Sequence, residues 1–205
     1  MVDIEHLQFG LETFGDIVAN EDGSLQTAAA SIRQIVREGQ LADELGIQVF
    51  GVGEHHRPDY SVSSPETVLA AISTVTKQIK LATAVTVLSS DDPVRVYERF
   101  ATLDALSDGR AQVMLGRGSF TESFPLFGYD LTDYDDLFNE KLGLYDALRN
   151  EKAVTWSGKF RAALKNQEVY PKTEKGKLET YIGIGGSPES VIRAVNFGYK
   201  VIIAI

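Results

Sequence analysis

Two of the chain's three histidines stand together in Glu54-His55-His56. An imidazole titrates near pH 6.5, so it is the side chain best suited to moving protons at neutral pH. Histidine and glutamate are also zinc ligands. Successive strand residues point to opposite faces, however, so His55 and His56 cannot easily share an ion, and His6 falls at the other end of the first strand. One histidine of the pair is therefore expected to face a binding site as an acid–base group, the other to face covering helices, and no metal is expected. A second group is Gly185-Gly186-Ser187-Pro188-Glu189. Two glycines let backbone approach a ligand closely. Ser187 suits an N-cap and Pro188 the first helical position. The free N–H groups and positive end of such a helix suit an anion, although a plain strand-to-helix turn has the same composition. Arg117, in Gly116-Arg117-Gly118-Ser119, could grip a phosphate by paired hydrogen bonds or form a structural ion pair. Ser89, Ser90, Glu122 and Ser123 fall at comparable places, while Asp91 and Asp92 suit capping of a helix at Pro93. There is no Walker loop, no Gly-x-Gly-x-x-Gly after the first strand and no Gly-x-Ser-x-Gly elbow.

These residues need elements to hold them. The hydrophobic period alternates between strand-like and helix-like along the chain. Leu7–Thr13 reads as a strand and Thr27–Leu45 as an amphipathic helix stopped by Gly46. Strand Ile47–Gly53 leads to a helix opened by Ser64-Pro65-Glu66. Strand Ile79–Leu88 leads to a helix opened by Asp92-Pro93, and strand Ala111–Gly116 follows Asp108-Gly109. Phe120–Tyr134 reads as a loop, Asp135–Leu148 as a helix and Ala153–Lys177 as an irregular surface hairpin. Strand Glu179–Ile184, helix Pro188–Phe197 and strand Lys200–Ile205 complete the series. Alternating strands and helices imply a parallel sheet covered by helices. Either a doubly wound open sheet or a (β/α)₈ barrel satisfies the pattern. In both, ligands sit at the carboxyl ends of the strands, where the candidate residues fall.

Composition narrows the chemistry. The chain has 205 residues, 43% of them hydrophobic, a net charge of −9 and no cysteine. Disulfide frameworks, Cys-ligated metal sites and cysteine nucleophiles are excluded. The acidic balance argues against a general nucleic-acid or polybasic membrane binder. No apolar run approaches the roughly 20 residues that span a bilayer, and Met1–His6 resembles no signal peptide. A cytoplasmic protein is expected.

Taken in order, several segments carry a resemblance. They are Gly51-Val52-Gly53-Glu54-His55-His56, Ala82-Thr83-Ala84-Val85-Thr86-Val87-Leu88 with Asp92-Pro93-Val94-Arg95, and Leu103-Asp104-Ala105-Leu106-Ser107-Asp108-Gly109-Arg110 leading to Gly116-Arg117-Gly118. Phe127-Gly128 and Gly185-Gly186-Ser187-Pro188-Glu189-Ser190 complete the set. The sequence resembles the luciferase-like flavin-dependent monooxygenases. The resemblance implies a (β/α)₈ TIM barrel that uses reduced flavin mononucleotide (FMN) and dioxygen on a small organic substrate. It also implies a separate flavin reductase and a homodimer as partners.

By the same resemblance, His55 is the catalytic histidine. Thr83, Ala84 and Val85 lie under the flavin ring, with a cis peptide at Ala84–Val85. Arg117 and Ser119 contact the flavin near its phosphate, which Gly185, Gly186 and Ser187 bind. Gly116 and Asp135 stand where luciferases carry a cysteine and an arginine, a departure that bears on light emission and not on flavin binding. A deazaflavin-dependent oxidoreductase and a non-catalytic flavin-binding protein are the alternatives. A barrel takes roughly 250 residues, so about six of eight units are expected here. The expectation is one barrel domain over 1–205, incomplete at its C-terminus, that takes up flavin poorly as it stands.

Overall fold

The computed structural model describes residues 8–185 and 188–203. Its main sheet contains β1 (Gly10–Thr13), β2 (Val49–Val52), β3 (Lys80–Thr83), β4 (Thr86–Val87), β5 (Ala111–Gly116), β8 (Glu179–Ile184) and β9 (Lys200–Ile203). A separate antiparallel hairpin pairs β6 (Val154–Trp156) with β7 (Leu164–Gln167), where the irregular hairpin is expected. The main sheet runs β1-β2-β3-β5-β8-β9, every neighbour parallel. This order never reverses. A doubly wound sheet must reverse at its switch point, so the order decides for barrel-type winding. All six β5 residues are buried, as a strand covered on both faces requires.

The helices are α1 (Ala28–Glu44), α2 (Pro65–Ser73), α3 (Pro93–Leu106), α4 (Ser123–Phe127), α5 (Tyr134–Asn150) and α6 (Pro188–Asn196). Their starts follow local chemistry. Thr27 accepts from the Ala30 N–H at 3.2 Å to cap α1. Asp92 accepts from the Val94 and Arg95 N–H groups to cap α3. Ser64 precedes Pro65 without a side-chain cap bond. At the far end of α1, Asp43 accepts from the N–H groups of Lys77, Gln78 and Ile79 at 2.7–2.8 Å, fixing the entry to β3. Leu69, Ile72, Leu81, Phe100, Leu115 and Tyr145 fill the core between helices and sheet.

Two expectations need correction. The strand expected over Ile79–Leu88 is broken into β3 and β4 around a cis Ala84–Val85 peptide. From Ala82 to Thr86 the chain takes four steps, while its partner β5 takes three from Gln112 to Leu115. The extra residue is a bulge, which hydrophobic alternation alone does not reveal. The second correction concerns the loop expected over Phe120–Tyr134. It contains α4, closed by Gly128 at φ 78°, and a 3₁₀ turn at Leu131–Asp133. Five residues are too few for helical periodicity to register.

Candidate active site

β2 delivers the histidines. Its last paired residue is Val52, so strand alternation stops before Glu54. That corrects the expectation of opposite faces: His55 and His56 both line one cavity of about 230 Å³ at the carboxyl end of the sheet. Gly53 makes the geometry possible. A Cβ there would lie 2.7 Å from His55 Cε1 and 3.2 Å from Phe14 Cα. The His55 ring stacks on Tyr60 at 4.1 Å and meets Phe14 and Phe120 edge-on. Its Nδ1 lies 3.0 Å from the Phe14 carbonyl. A carbonyl only accepts, so Nδ1 carries the proton. Burial lowers the His55 pKa below its ordinary value, against the opposing pull of the Phe14 carbonyl and of Asp16, Glu54 and Asp59. The neutral ring then keeps a lone pair on Nε2, the form a general base requires.

His56 is held differently. Its Nε2 lies 3.0 Å from Glu54 Oε1, and Glu54 Oε2 accepts from the Val87 N–H at 2.9 Å. Glu54 thus ties the histidine loop to β4. Among the described residues, no group of three His, Cys, Asp or Glu side chains is placed to hold a metal ion.

Ala84, Val85 and Ser119 line the same cavity as His55. Three strands leave room for the Ala84–Val85 pair. A Cβ on Gly116 of β5 would come within 2.4 Å of Val85 Cγ2, one on Gly183 of β8 within 2.9 Å of Val85 Cγ1, and one on Gly51 of β2 within 3.2 Å of Ala84 Cβ. Glycine at 116 is therefore required by the Val85 side chain. Thr83 is placed elsewhere: it is buried, and its Oγ1 donates to the Met114 carbonyl and accepts from Thr86 Oγ1.

Arg117 and Gly185 lie outside the cavity lining. Arg117 donates to Asp135 Oδ1 at 2.6 Å and to Ser190 Oγ at 3.4 Å, with its guanidinium 5.2 Å from the Tyr134 ring centre. Arg193 approaches the same Asp135 oxygen at 4.0 Å. Two arginines, one carboxylate and the start of α6 therefore gather beside Gly185, at which a Cβ would meet no atom of the described residues within 4 Å. Gly186 and Ser187 lie outside the described residues. Arg193 was not anticipated, yet it stands three residues after Ser190 and so shares its helix face.

Other residues unremarked in the sequence complete the mouth. Arg57 donates to both Asp59 oxygens at 3.0 and 3.1 Å and to Glu122 Oε1 at 3.0 Å, and lies 4.5 Å from the Phe120 ring centre. One guanidinium thereby joins the loop after β2 to the loop after β5. Phe14, Tyr60 and Phe120 were missed because isolated aromatics in loops carry no periodic signal.

The chain as a whole is similar to known proteins. Residues 13–205 match the family model described as luciferase-like monooxygenase. N-acetyl-S-alkylcysteine monooxygenase of Bacillus subtilis (strain 168) is 30% identical over 89% of this chain and 53% of its own length. The oxygenating constituent of 3,6-diketocamphane monooxygenase from the CAM plasmid of Pseudomonas putida, solved in complex with FMN, superposes with TM-score 0.80 at 19% identity. It is covered over 96% of this chain and 57% of that one. An F420-dependent secondary alcohol dehydrogenase superposes with TM-score 0.75 at 20% identity, with the same two coverages. The chain thus spans about half the length of these proteins. Among the described residues, no helix is long and apolar enough to cross a membrane.

Proposed function

The chain belongs to the luciferase-like monooxygenase family, and from that premise we propose that it is part of a flavin-dependent monooxygenase acting with reduced FMN and dioxygen on a small organic substrate. The observation that carries this reading is the His55 ring. Its Nδ1 proton is committed to the Phe14 carbonyl, and its Nε2 remains basic beside a cavity lined by Ala84 and Val85. Family members are known with FMN and with F420. Reduced FMN, when bound, supplies the electrons that activate dioxygen.

The residues present suit such a cofactor. Gly51, Gly116 and Gly183 keep the sheet low around Ala84–Val85, which leaves a surface of small side chains for a planar ring. Arg117, Arg193 and the start of α6 place positive charge beside the open backbone of Gly185, where a phosphate would be favoured. Ser119, Gly186 and Ser187 are proposed to complete that end. Thr83 acts from beneath, holding the strand rather than the ring. His55 would take or return a proton at Nε2, and Phe14, Tyr60 and Phe120 would keep water away from it. A separate flavin reductase and a second copy of this chain are the protein partners this reading brings.

The test is titration with FMN and with deazaflavin, each oxidised and reduced, followed by flavin fluorescence. FMN should bind more tightly than deazaflavin. His55→Ala should leave FMN affinity within about threefold while slowing oxygen-dependent turnover by about 10²–10⁴-fold, the usual contribution of a positioned acid–base group. Failure of the full-length protein, with all eight units of the barrel, to take up FMN in either redox state would overturn the reading.

A further inference from the structure

A carboxylate occupies the arginine pair beside Gly185. Asp135 Oδ1 accepts from Arg117 at 2.6 Å, and Arg193 approaches the same oxygen at 4.0 Å. Arg117 follows β5, Arg193 lies on α6 and Asp135 opens α5, so one oxygen stands against two cations carried by separate elements. The arginine side chains are largely covered, 28% and 14% exposed, whereas that of Asp135 is 64% exposed. Burial pushes the Arg193 pKa down, and the charge of Arg117 adds to that push. The two cations therefore repel, and Asp135 screens them from each other.

Carboxylate and phosphate want the same donors, since both are anions that accept paired hydrogen bonds from a guanidinium. A phosphate monoester brings a charge of about −1.5 to −2. On entering, it must displace Asp135 or share Arg117 with it against like-charge repulsion. Displacement is the cheaper course, because the carboxylate is mostly in water already and an exposed ion pair contributes little. Nor does α5 depend on this carboxylate at its positive end, where Asp136 stands in the same first turn. The resemblance puts position 135 outside flavin binding, but the geometry sets it directly on Arg117.

We propose that Asp135 is a built-in competitor for the phosphate end of the cofactor: it neutralises Arg117 and Arg193 before a phosphate arrives, is displaced when one enters, and so weakens the grip on a phosphorylated flavin. The inference rests on the reading of Arg117 and Arg193 as phosphate ligands, and it deepens that reading by naming the residue that sets how tightly the phosphate is held. Such a site suits a cofactor that arrives reduced from a separate protein and leaves again. Release is fast when an internal anion is ready to take the place of the phosphate. Glu189 also acts on Arg193, and it is kept in every variant below.

The test measures FMN, riboflavin and inorganic phosphate against the full-length protein, by fluorescence for the flavins and by calorimetry for phosphate. Riboflavin shares the ring and lacks the phosphate, so the ratio of FMN to riboflavin affinity reads the phosphate end alone. That ratio should rise about tenfold in Asp135→Asn. Phosphate affinity should rise by a similar factor while riboflavin affinity stays unchanged. Asp135→Glu, which keeps the charge, should keep the wild-type values. Stability supplies a readout free of flavin. Without phosphate, Asp135→Asn leaves two arginines without their shared carboxylate, and its urea midpoint should fall below that of the wild type. Added phosphate should raise the midpoint more in the variant than in the wild type, as tighter binding requires. An unchanged or lower flavin ratio in Asp135→Asn overturns the proposal, because Asp135 then only braces Arg117. Equal recovery by phosphate in both proteins, or none in either, overturns it too. The flavin reading fails separately: a wild type that takes up no FMN, while phosphate still distinguishes it from Asp135→Asn, keeps the competitor and loses the cofactor.

Discussion

The two ends of the parallel sheet are built on opposite principles. At the amino ends of the strands, Glu179 is saturated. Its Oε2 accepts from Lys80 Nζ at 3.0 Å and Gln112 Nε2 at 2.7 Å, and its Oε1 from Tyr181 Oη at 2.7 Å and Lys200 Nζ at 2.8 Å. One carboxylate thereby joins β3, β5, β8 and β9. At the carboxyl ends, aromatic side chains surround His55, and Glu122 Oε2 and Ser123 Oγ stay without protein partners. Polar groups that answer each other hold a fold together. A ring nitrogen such as His55 Nε2, beside a cavity and with its partner nitrogen already engaged, is available to a ligand. In barrels of this type the carboxyl end carries chemistry and the amino end carries stability, and here the hydrogen-bond inventory alone draws that division.

The sharpest way to break the comparison is to remove the hub. Glu179→Ala strands two ammonium groups, an amide and a phenol at once. With the carboxylate about a third exposed, solvent screening moderates the loss, and we expect about 1–3 kcal/mol of stability from chemical denaturation. FMN affinity of the folded variant should be unchanged, and a fall in affinity parallel to the loss of stability would erase the division. Acid should find the same weakness. Burial pushes the Glu179 carboxyl up, but the hydrogen bonds from Lys200, Tyr181, Gln112 and Lys80 outweigh it and hold the group well below the usual carboxylate range. A depressed folded value means stability present above the unfolded value of about 4.3 and lost as pH falls below it. The urea midpoint of the wild type should therefore drop more between pH 6 and pH 3.5 than that of Glu179→Gln.

An effect of the same order is expected at the other end. Gly116→Ala forces a Cβ against Val85 Cγ2, and overpacking of this kind costs about 1–3 kcal/mol. Shortening the partner in Gly116→Ala with Val85→Ala should recover most of it, as coupled neighbours do. Equal losses in the single and double variants would show that the contact with Val85 is not what keeps residue 116 a glycine.

The strands and helices were the more legible parts. Apolar runs such as Ala111–Leu115 and the cap Asp92 follow from period and side-chain chemistry, which act over a few residues, whereas the Glu179 hub was not legible because its partners lie on four strands. The family resemblance located His55 and the cis Ala84–Val85 peptide, as the structure bears out for the peptide. What escaped was set by tertiary neighbours. The break between β3 and β4 depends on β5, and the Arg57 bridge joins residues 65 positions apart. His56 was assigned to the wrong face because the last paired residue of β2 cannot be read from alternation. Gly116 illustrates the limit best: its type is visible in the sequence, but its reason is a valine thirty-one residues earlier.

The smallest expected effect concerns His55 itself. Burial lowers its pKa, and its closest ring neighbour is Tyr60, stacked at 4.1 Å. An NMR titration of the His55 Cε1 proton should give a midpoint below the ordinary value of about 6.5. In Tyr60→Ala, with water admitted to one face, the midpoint should move up toward that value. The sign for stability is the same as for the hub at a different pH: a lowered folded value stabilises above about pH 6.5 and is lost as pH falls through that range. In Tyr60→Ala that dependence should flatten. If the His55 midpoint did not move in Tyr60→Ala, the aromatic wall would be acting through the loop as a whole. The carboxyl end would then share the collective character of the Glu179 hub.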